Sequence, residues 1–129
     1  MLQLIGREND LVIATLEEEV DLFTSDEVRA AGERLLDDGC RFLVLDTSLL
    51  TYIDSSGITA LLALWQRLEQ RQGALVMAVP DGHLRHRMII LGLDSVFVIT
   101  VTLHEAIARA HTLDAVPRPR ALQTETETA

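Results

Sequence analysis

The stretch Asp54-Ser55-Ser56-Gly57 decides how the chain is interpreted, because it separates a strand region from a helical region. An Asp followed by two hydroxyl residues supplies side-chain acceptors for the free N–H groups of a helix's first turn. The residues that follow repeat apolar side chains at helical spacing: Ile58, Leu61, Leu62, Trp65 and Leu68. The pattern predicts an amphipathic helix that begins at this stretch and ends near Gln72-Gly73.

Two buried strands flank this helix in the sequence. Phe42-Leu43-Val44-Leu45 precedes it and Ala74-Leu75-Val76-Met77-Ala78-Val79 follows it. Both are continuous apolar runs too short for a helix, as expected of strands buried on both faces. Before the first strand, Thr24-Ser25-Asp26-Glu27 fits a capping box, with Phe23 and Val28 placed for a hydrophobic staple. A helix is predicted from there to Gly39, with Val28, Ala31 and Leu35 facing inward.

The second half of the chain continues this alternation. A third helix is predicted from about residue 82 to 91, with Leu84, Met88 and Leu91 inward and Gly92 as its end. A strand over 96–99 follows, and Thr102-Leu103-His104-Glu105 is a second capping box that begins a fourth helix. That helix is expected to turn Leu103, Ile107 and Ala110 inward.

The N-terminus reads as a hairpin of Leu2–Ile5 and Leu11–Leu16. The predicted order is ββαβαβαβα, an α/β fold with a single mixed, mostly parallel sheet and four helices. We assign residues 1–114 to one domain. Residues 115–129 offer no apolar face and are expected to form a disordered tail.

Composition excludes several function classes. The net charge is −9, and all eleven basic residues are Arg, since the sequence contains no Lys. A Gly-Lys-Ser/Thr phosphate loop, a Schiff-base lysine and a kinase lysine are therefore impossible, and no cofactor is expected. The negative charge argues against binding to nucleic acid or to an anionic membrane. Without a signal peptide or an apolar span in the sequence, we expect a cytoplasmic protein.

Other reactive side chains carry little signal. His83 and His86 are three residues apart, but without further ligands we interpret them as solvated, and no metal site is expected. Cys40 is interpreted as a small core or strand-edge residue. No Gly-x-Ser-x-Gly elbow is present, and no catalytic residue is assigned.

The hydroxyl groups of the Asp54–Gly57 stretch allow two interpretations. Asp-Ser-Ser-Gly is a common helix cap, and on residue types alone this is the more frequent role. A serine at a helix N-terminus can also be phosphorylated without loss of the fold, because the helix dipole favours the added anion. The residues alone leave both interpretations open.

Three segments of the chain resemble the STAS domain family of sulphate transporters and anti-sigma factor antagonists. Tyr52-Ile53-Asp54-Ser55-Ser56-Gly57-Ile58 is similar to the family's Asp-Ser-Ser/Thr-Gly signature. The segment at 19–25, Glu-Val-Asp-Leu-Phe-Thr-Ser, and the segment at 91–97, Leu-Gly-Leu-Asp-Ser-Val-Phe, resemble two further family segments. All three occur in the family's order, and the resemblance covers about residues 1 to 112.

This resemblance implies a regulatory role rather than an enzymatic one. It makes Ser55 the phosphoacceptor, with Ser56 as the second choice. The unphosphorylated domain would bind an anti-sigma factor that is also a serine kinase and so release a sigma factor; phosphorylation would end binding, and a phosphatase would reset it. The partner-binding residues are expected to be Asp21, Thr24, Asp54, Ser56 and Gly57. The oligomeric state is expected to be monomer or dimer.

Two alternatives and two departures accompany this hypothesis. The chain could be a non-switching STAS scaffold or a transporter-associated subunit. A phospho-aspartate receiver with Asp46 as acceptor is disfavoured, because receivers resemble one another in using a lysine that is absent here. Glu18 and Thr59 stand where many family members have Gly, which puts the identity of the partner in question more than the fold.

Overall fold

The computed structural model describes residues 1–115, which build one main sheet and one small sheet flanked by helices. Seven strands are present in this part of the chain: β1 (Leu2–Glu8), β2 (Leu11–Leu16), β3 (Glu18–Val20), β4 (Phe42–Asp46), β5 (Leu50–Ile53), β6 (Ala74–Ala78) and β7 (Val98–Thr100). The four helices are α1 (Ser25–Asp37), α2 (Ser55–Gln70), α3 (His83–Ile90) and α4 (Leu103–Ala115).

The main sheet has the strand order β1-β2-β4-β6-β7. The β1–β2 hairpin is antiparallel, and β2, β4, β6 and β7 pair in parallel. Every residue of β6 and the first four of β4 are buried, as expected for strands covered on both faces. One face packs against α1, α2 and α3, and the other packs against α4. The carboxyl ends of the parallel strands therefore open onto the beginnings of the helices.

The predicted fold class is confirmed, and the order ββαβαβαβα holds for the main sheet with its helices. The separate parallel pair of β3 and β5 was not predicted. Both strands are short, and the exposed Glu18-Glu19 of β3 hides the alternation by which a strand is recognised. This small sheet places the segments before α1 and α2 side by side.

Details of the predicted helix faces and strand limits are corrected by the packing. The buried residues of α1 are Ser25, Val28, Gly32 and Leu36, while the predicted Ala31 and Leu35 are half-buried. Gly32 is there because a Cβ would approach the side chain of Leu64 on α2 to 2.4 Å.

The other corrections lie near the end of α3. Leu91 is 56% exposed rather than inward. The last strand begins at Val98 rather than Val96, because Leu93–Ser95 forms a 3₁₀ turn. Gly92 ends the helix with φ of 75°, as predicted. The predicted disordered tail falls on residues 116–129, outside the described residues, apart from Ala115, which belongs to α4.

Cys40 is fully buried, which confirms its interpretation as a core residue. Burial raises the pKa of its thiol to about 11, although the nearby charges of Arg7 and Arg71 act in the opposite direction. The thiol therefore stays protonated and unreactive at neutral pH. Within residues 1–115, no helix combines the length and apolar character needed to cross a membrane.

Candidate functional site

The start of α2 is capped by a carboxylate. The Asp54 Oδ1 atom accepts hydrogen bonds from the backbone N–H groups of Ser56 (2.9 Å) and Gly57 (3.1 Å). Asp54 has extended backbone angles, φ −111° and ψ −171°, as an N-cap residue requires. The predicted cap is therefore present, and one residue, Asp54, performs it.

Because Asp54 supplies the cap, the serine hydroxyls are not needed for it. Ser55 is exposed, and its hydroxyl makes no hydrogen bond within residues 1–115. Ser56 is half-buried. The Thr59 hydroxyl donates to the Ser55 carbonyl oxygen at 2.8 Å, which places Thr59 one turn further along the same face. Of the two serines, Ser55 is the more accessible to a modifying enzyme.

Gly57 is fixed by a close approach of two segments. A Cβ at this position would lie 2.4 Å from the Val20 carbonyl oxygen and 2.6 Å from Cγ1 of Ile53. The Asp54 N–H also donates to the Val20 carbonyl, at 3.2 Å. The beginning of α2 is thus held directly against β3. Gly57 is buried, so it packs beneath the surface around Ser55 and is not part of that surface.

The turn before α1 is held by Asp21 and Thr24. The Asp21 Oδ1 atom accepts from the backbone N–H groups of Phe23 (2.9 Å) and Thr24 (3.1 Å). The Thr24 hydroxyl accepts from the Asp21 N–H at 3.0 Å and donates to the Glu19 carbonyl at 2.9 Å. Both predicted binding residues are half-buried, and their polar atoms bind their own turn.

The predicted capping box at Thr24 and Glu27 is wrong. Thr24 is the N-cap residue, but its side chain makes no capping hydrogen bond. The reason is that its hydroxyl is engaged by the preceding turn. The predicted hydrophobic staple is also wrong, because Phe23 is 87% exposed rather than packed against Val28.

Two exposed apolar side chains on the turn before α1 were missed by the sequence interpretation. Leu22 is 69% exposed and Phe23 is 87% exposed, on the turn that Asp21 and Thr24 hold. An ordered turn that presents apolar side chains to solvent is typical of a binding surface. The available signal was Asp21 itself, because an Asp side chain often accepts hydrogen bonds from the backbone a few residues on and so forms a turn.

A groove of about 320 Å³ runs between the first halves of α1 and α2. Four residues of the α1 side and four of α2 line it: Leu22, Ser25, Asp26, Arg29, Ser55, Ser56, Thr59 and Ala60. It brings Ser55 together with Leu22, and it places the cationic side chain of Arg29 opposite a candidate phosphoacceptor. Arg29 was not singled out from the sequence.

Glu18, one of the two residues that depart from the resemblance, has an unusual backbone conformation. Glu18 has a φ of 63°, in the left-handed region that favours glycine. A side chain at this φ costs about 1–2 kcal/mol. Glu18 is exposed at the start of β3, so it adds charge near the site at a small cost in stability.

The remaining candidate residues are not brought together with Ser55. The Asp46 Oδ1 atom accepts from the Ser48 N–H at 2.9 Å in the turn after β4. His83 and His86 are exposed on α3. Among the described residues, no group of three or more His, Cys, Asp or Glu side chains is arranged to hold a metal.

Fold and site together define a small α/β domain with an exposed serine at a capped helix start. The chain belongs to the STAS domain family, whose model matches residues 2–106. It is 32% identical over 108 residues to the putative anti-sigma factor antagonist BtrV of Bordetella bronchiseptica, covering 84% of this chain and 91% of BtrV. It is also 28% identical over 104 residues to the anti-sigma-F factor antagonist RsfB of Mycobacterium tuberculosis, covering 80% of this chain and 84% of RsfB.

Solved structures agree on the fold. A putative anti-sigma factor antagonist from Thermotoga maritima superposes with a TM-score of 0.77 at 17% identity, covering 85% of this chain and 94% of that one. The phosphorylated form of the Bacillus cell fate determinant SpoIIAA gives 0.65 at 24% identity, covering 84% and 98%. These likenesses establish the shared architecture.

Proposed function

We propose that this chain is an anti-sigma factor antagonist controlled by phosphorylation of Ser55. In its unphosphorylated form it binds an anti-sigma factor with serine kinase activity, and this frees a sigma factor in the cytoplasm. Phosphorylation ends binding, and a phosphatase restores it. The observation that carries this proposal is the exposed Ser55 hydroxyl, which is free of hydrogen bonds within residues 1–115 because Asp54 performs the cap.

The chain acts as the substrate of the phosphorylation, not as its catalyst. The Ser55 hydroxyl oxygen attacks the γ-phosphorus of ATP held by the kinase, and its proton passes to a base of the kinase. The new oxygen–phosphorus bond replaces the bond to the β-phosphate, and ADP leaves. The absence of lysine from this chain fits a division in which the partner supplies the nucleotide site.

The proposed partner surface combines the groove with the turn beside it. Leu22 and Phe23 supply exposed apolar area, and Ser55 lies at the rim of the groove. Asp21 and Thr24 hold the turn in place, whereas Asp54 and Gly57 hold the start of α2. In this proposal, the predicted residues Asp21, Thr24, Asp54 and Gly57 act mainly by positioning, while Ser56 borders the contact.

One phosphate is sufficient to break such a complex. It adds a charge of about −1.5 to −2 at neutral pH. A pair of like unit charges about 5 Å apart, at an effective dielectric constant of about 20, repels by about 3 kcal/mol. That energy corresponds to a loss of about a hundredfold in affinity.

The assignment of Ser55 as the phosphoacceptor is tested by phosphorylation with the anti-sigma factor kinase encoded in the same host. The wild type, Ser55→Ala and the matched control Ser56→Ala are incubated with the kinase and ATP, and the products are mapped by mass spectrometry. We expect the wild type and Ser56→Ala to gain one phosphate on Ser55, and Ser55→Ala to gain none. Full phosphorylation of Ser55→Ala would overturn the assignment.

Affinity measurements test the surface. Phe23→Ser is expected to weaken binding of the anti-sigma factor at least about tenfold, as for an exposed apolar anchor. Ile5→Ser removes an apolar side chain that is 55% exposed on β1 and serves as the control. Equal losses from the two variants would contradict a partner surface at the turn.

A further inference from the structure

The groove between α1 and α2 contains polar groups that the fold leaves without partners. Ser25 is only 8% exposed, yet its hydroxyl makes no hydrogen bond within residues 1–115. Arg29, one turn further along α1, makes no hydrogen bond or ion pair in the same part of the chain. Both residues line the groove opposite Ser55.

These two observations are independent of each other. The Ser25 hydroxyl lies in a residue that is more than nine-tenths buried, and its oxygen opens onto the groove, where it can donate to a bound group. Two half-buried arginines of this domain are held by contacts within the chain, whereas the exposed Arg29 is not: Arg41 bonds Asp10 and two carbonyls, and Arg85 bonds two carbonyls and approaches Asp81. A nearly buried donor and an unpaired cation facing one groove are typical of a site that receives an oxyanion.

We infer that this groove is the site that receives the phosphoryl group of phosphorylated Ser55, with Arg29 and Ser25 as its donors. The inference rests on the proposed phosphorylation and adds the location that the phosphoryl group occupies once it is attached to Ser55. The guanidinium offers a planar pair of N–H donors that matches two phosphate oxygens. The Ser25 hydroxyl donates to a third oxygen.

One group in the groove opposes this binding. The Asp26 carboxylate also lines the groove, and it repels a phosphate. Asp26 is exposed, so water screens its charge. Arg29 is exposed as well, but its fork geometry and the Ser25 hydroxyl act together on one group, whereas Asp26 can turn toward solvent.

This placement gives the switch a second mode of action. In the unphosphorylated chain, the groove is open and Arg29 is free to pair with a carboxylate of the anti-sigma factor. In the phosphorylated chain, the phosphate occupies the groove and Arg29 is engaged within the chain. The partner then loses both the space and the cation, in addition to meeting a negative charge.

The test uses the full chain with genetically encoded phosphoserine at position 55, so that no kinase is needed. Phosphorus-31 NMR gives the second pKa of the phosphate, which is about 6 for a free phosphoserine. We expect Arg29 to lower it by at least about half a unit, because an opposite charge stabilises the dianion. Arg29→Gln should raise this pKa back toward that of free phosphoserine, and Arg29→Lys should keep part of the downward shift. Ser25→Ala, which removes the hydroxyl donor, should also raise the pKa.

Arg34→Gln is the matched control. It removes the same charge from α1, but Arg34 is exposed and lines a different groove, next to β1. An equal effect of Arg29→Gln and Arg34→Gln, or no effect of either, would overturn the inference, since only long-range charge would then act. Thermal unfolding of each variant shows that it is folded when the titration is measured.

The two proposals can fail separately. If the encoded phosphoprotein binds the anti-sigma factor as tightly as the unmodified chain, the proposed switch is wrong whatever the titration gives. If binding is lost while the phosphate titrates identically in Arg29→Gln and Arg34→Gln, the switch stands and the groove is not its phosphate site.

Discussion

The beginnings of α2 and α4 solve the same capping problem with different groups. At α4, the Thr102 hydroxyl accepts from the Glu105 N–H at 3.1 Å, and the Glu105 Oε1 atom accepts from the Thr102 N–H at 3.1 Å. The Thr102 hydroxyl also donates to that carboxylate, at 3.0 Å. At α2, the single Oδ1 atom of Asp54 serves two N–H groups.

The two helix starts differ in whether a hydroxyl group remains free after the cap has formed. The capping box of α4 engages its hydroxyl as both donor and acceptor. The carboxylate cap of α2 leaves the Ser55 hydroxyl exposed next to a groove. A helix start can therefore carry an exposed serine hydroxyl without depending on it for structure. Four substitutions test this contrast through the free energy of unfolding, measured by chemical denaturation.

Gly57→Ala should have the largest effect on stability. Its Cβ would lie 2.4 Å from the Val20 carbonyl oxygen, so the backbone of α2 or β3 must move. We expect a loss of about 1–3 kcal/mol or more, as for overpacking of a close contact. Glu105 is the third residue of α4, as Gly57 is of α2. Glu105→Ala should therefore lower stability only by the contribution of the capping hydrogen bond. A Gly57→Ala variant as stable as the wild type would show that the contact is not tight.

Asp54→Ala should have the next largest effect. It leaves the Ser56 and Gly57 N–H groups without their acceptor and should cost about 1–2 kcal/mol. Asp54→Ser keeps a capping oxygen and should recover most of that loss. If the serine variant were no more stable than the alanine variant, the cap would not be the source of the effect.

Thr102→Ala should cost about 1 kcal/mol, because it removes the capping hydroxyl of α4. Phosphorylation of Ser55 and affinity for the anti-sigma factor should stay at wild-type values, since this helix start lies outside the site. A reduced phosphorylation rate in a kinase assay would contradict the separation of the two helix starts.

Ser55→Ala should have the smallest effect on stability. The hydroxyl makes no hydrogen bond within residues 1–115, so the free energy of unfolding should change by less than about 0.5 kcal/mol. Phosphorylation should nevertheless be abolished. A loss of stability equal to that of Asp54→Ala would mean that the hydroxyl takes part in the cap after all.

Much of the architecture could be predicted because it depends on long, regular patterns. The apolar runs of β4 and β6 and the stripe of α2 are strong signals, and the Thr102–Glu105 capping box formed as expected. The Asp54 cap was also visible in the residue types. These features depend on neighbours in sequence, which is why sequence reasoning reaches them.

The parts that could not be predicted depend on distant neighbours. Thr24–Glu27 has the same spacing as Thr102–Glu105, yet its hydroxyl binds the Glu19 carbonyl and the Asp21 N–H instead. The exposure of Phe23 and the groove beside Ser55 arise from the way in which α1 and α2 pack. Nothing in the local sequence distinguishes Arg29, which lines this groove, from Arg34, which does not.

The small sheet of β3 and β5 also has a consequence for folding. It pairs Val20 with Ile53, and the Thr51 hydroxyl bonds the Glu18 carbonyl 33 positions away. Contacts between residues so distant along the chain form only after a long loop has closed, and they tend to appear late in folding. The Ser55 surface therefore depends on contacts between distant segments, as the pairs of the main sheet also do. A chain in which β3 and β5 have not paired lacks the arrangement that holds the beginning of α2 against β3.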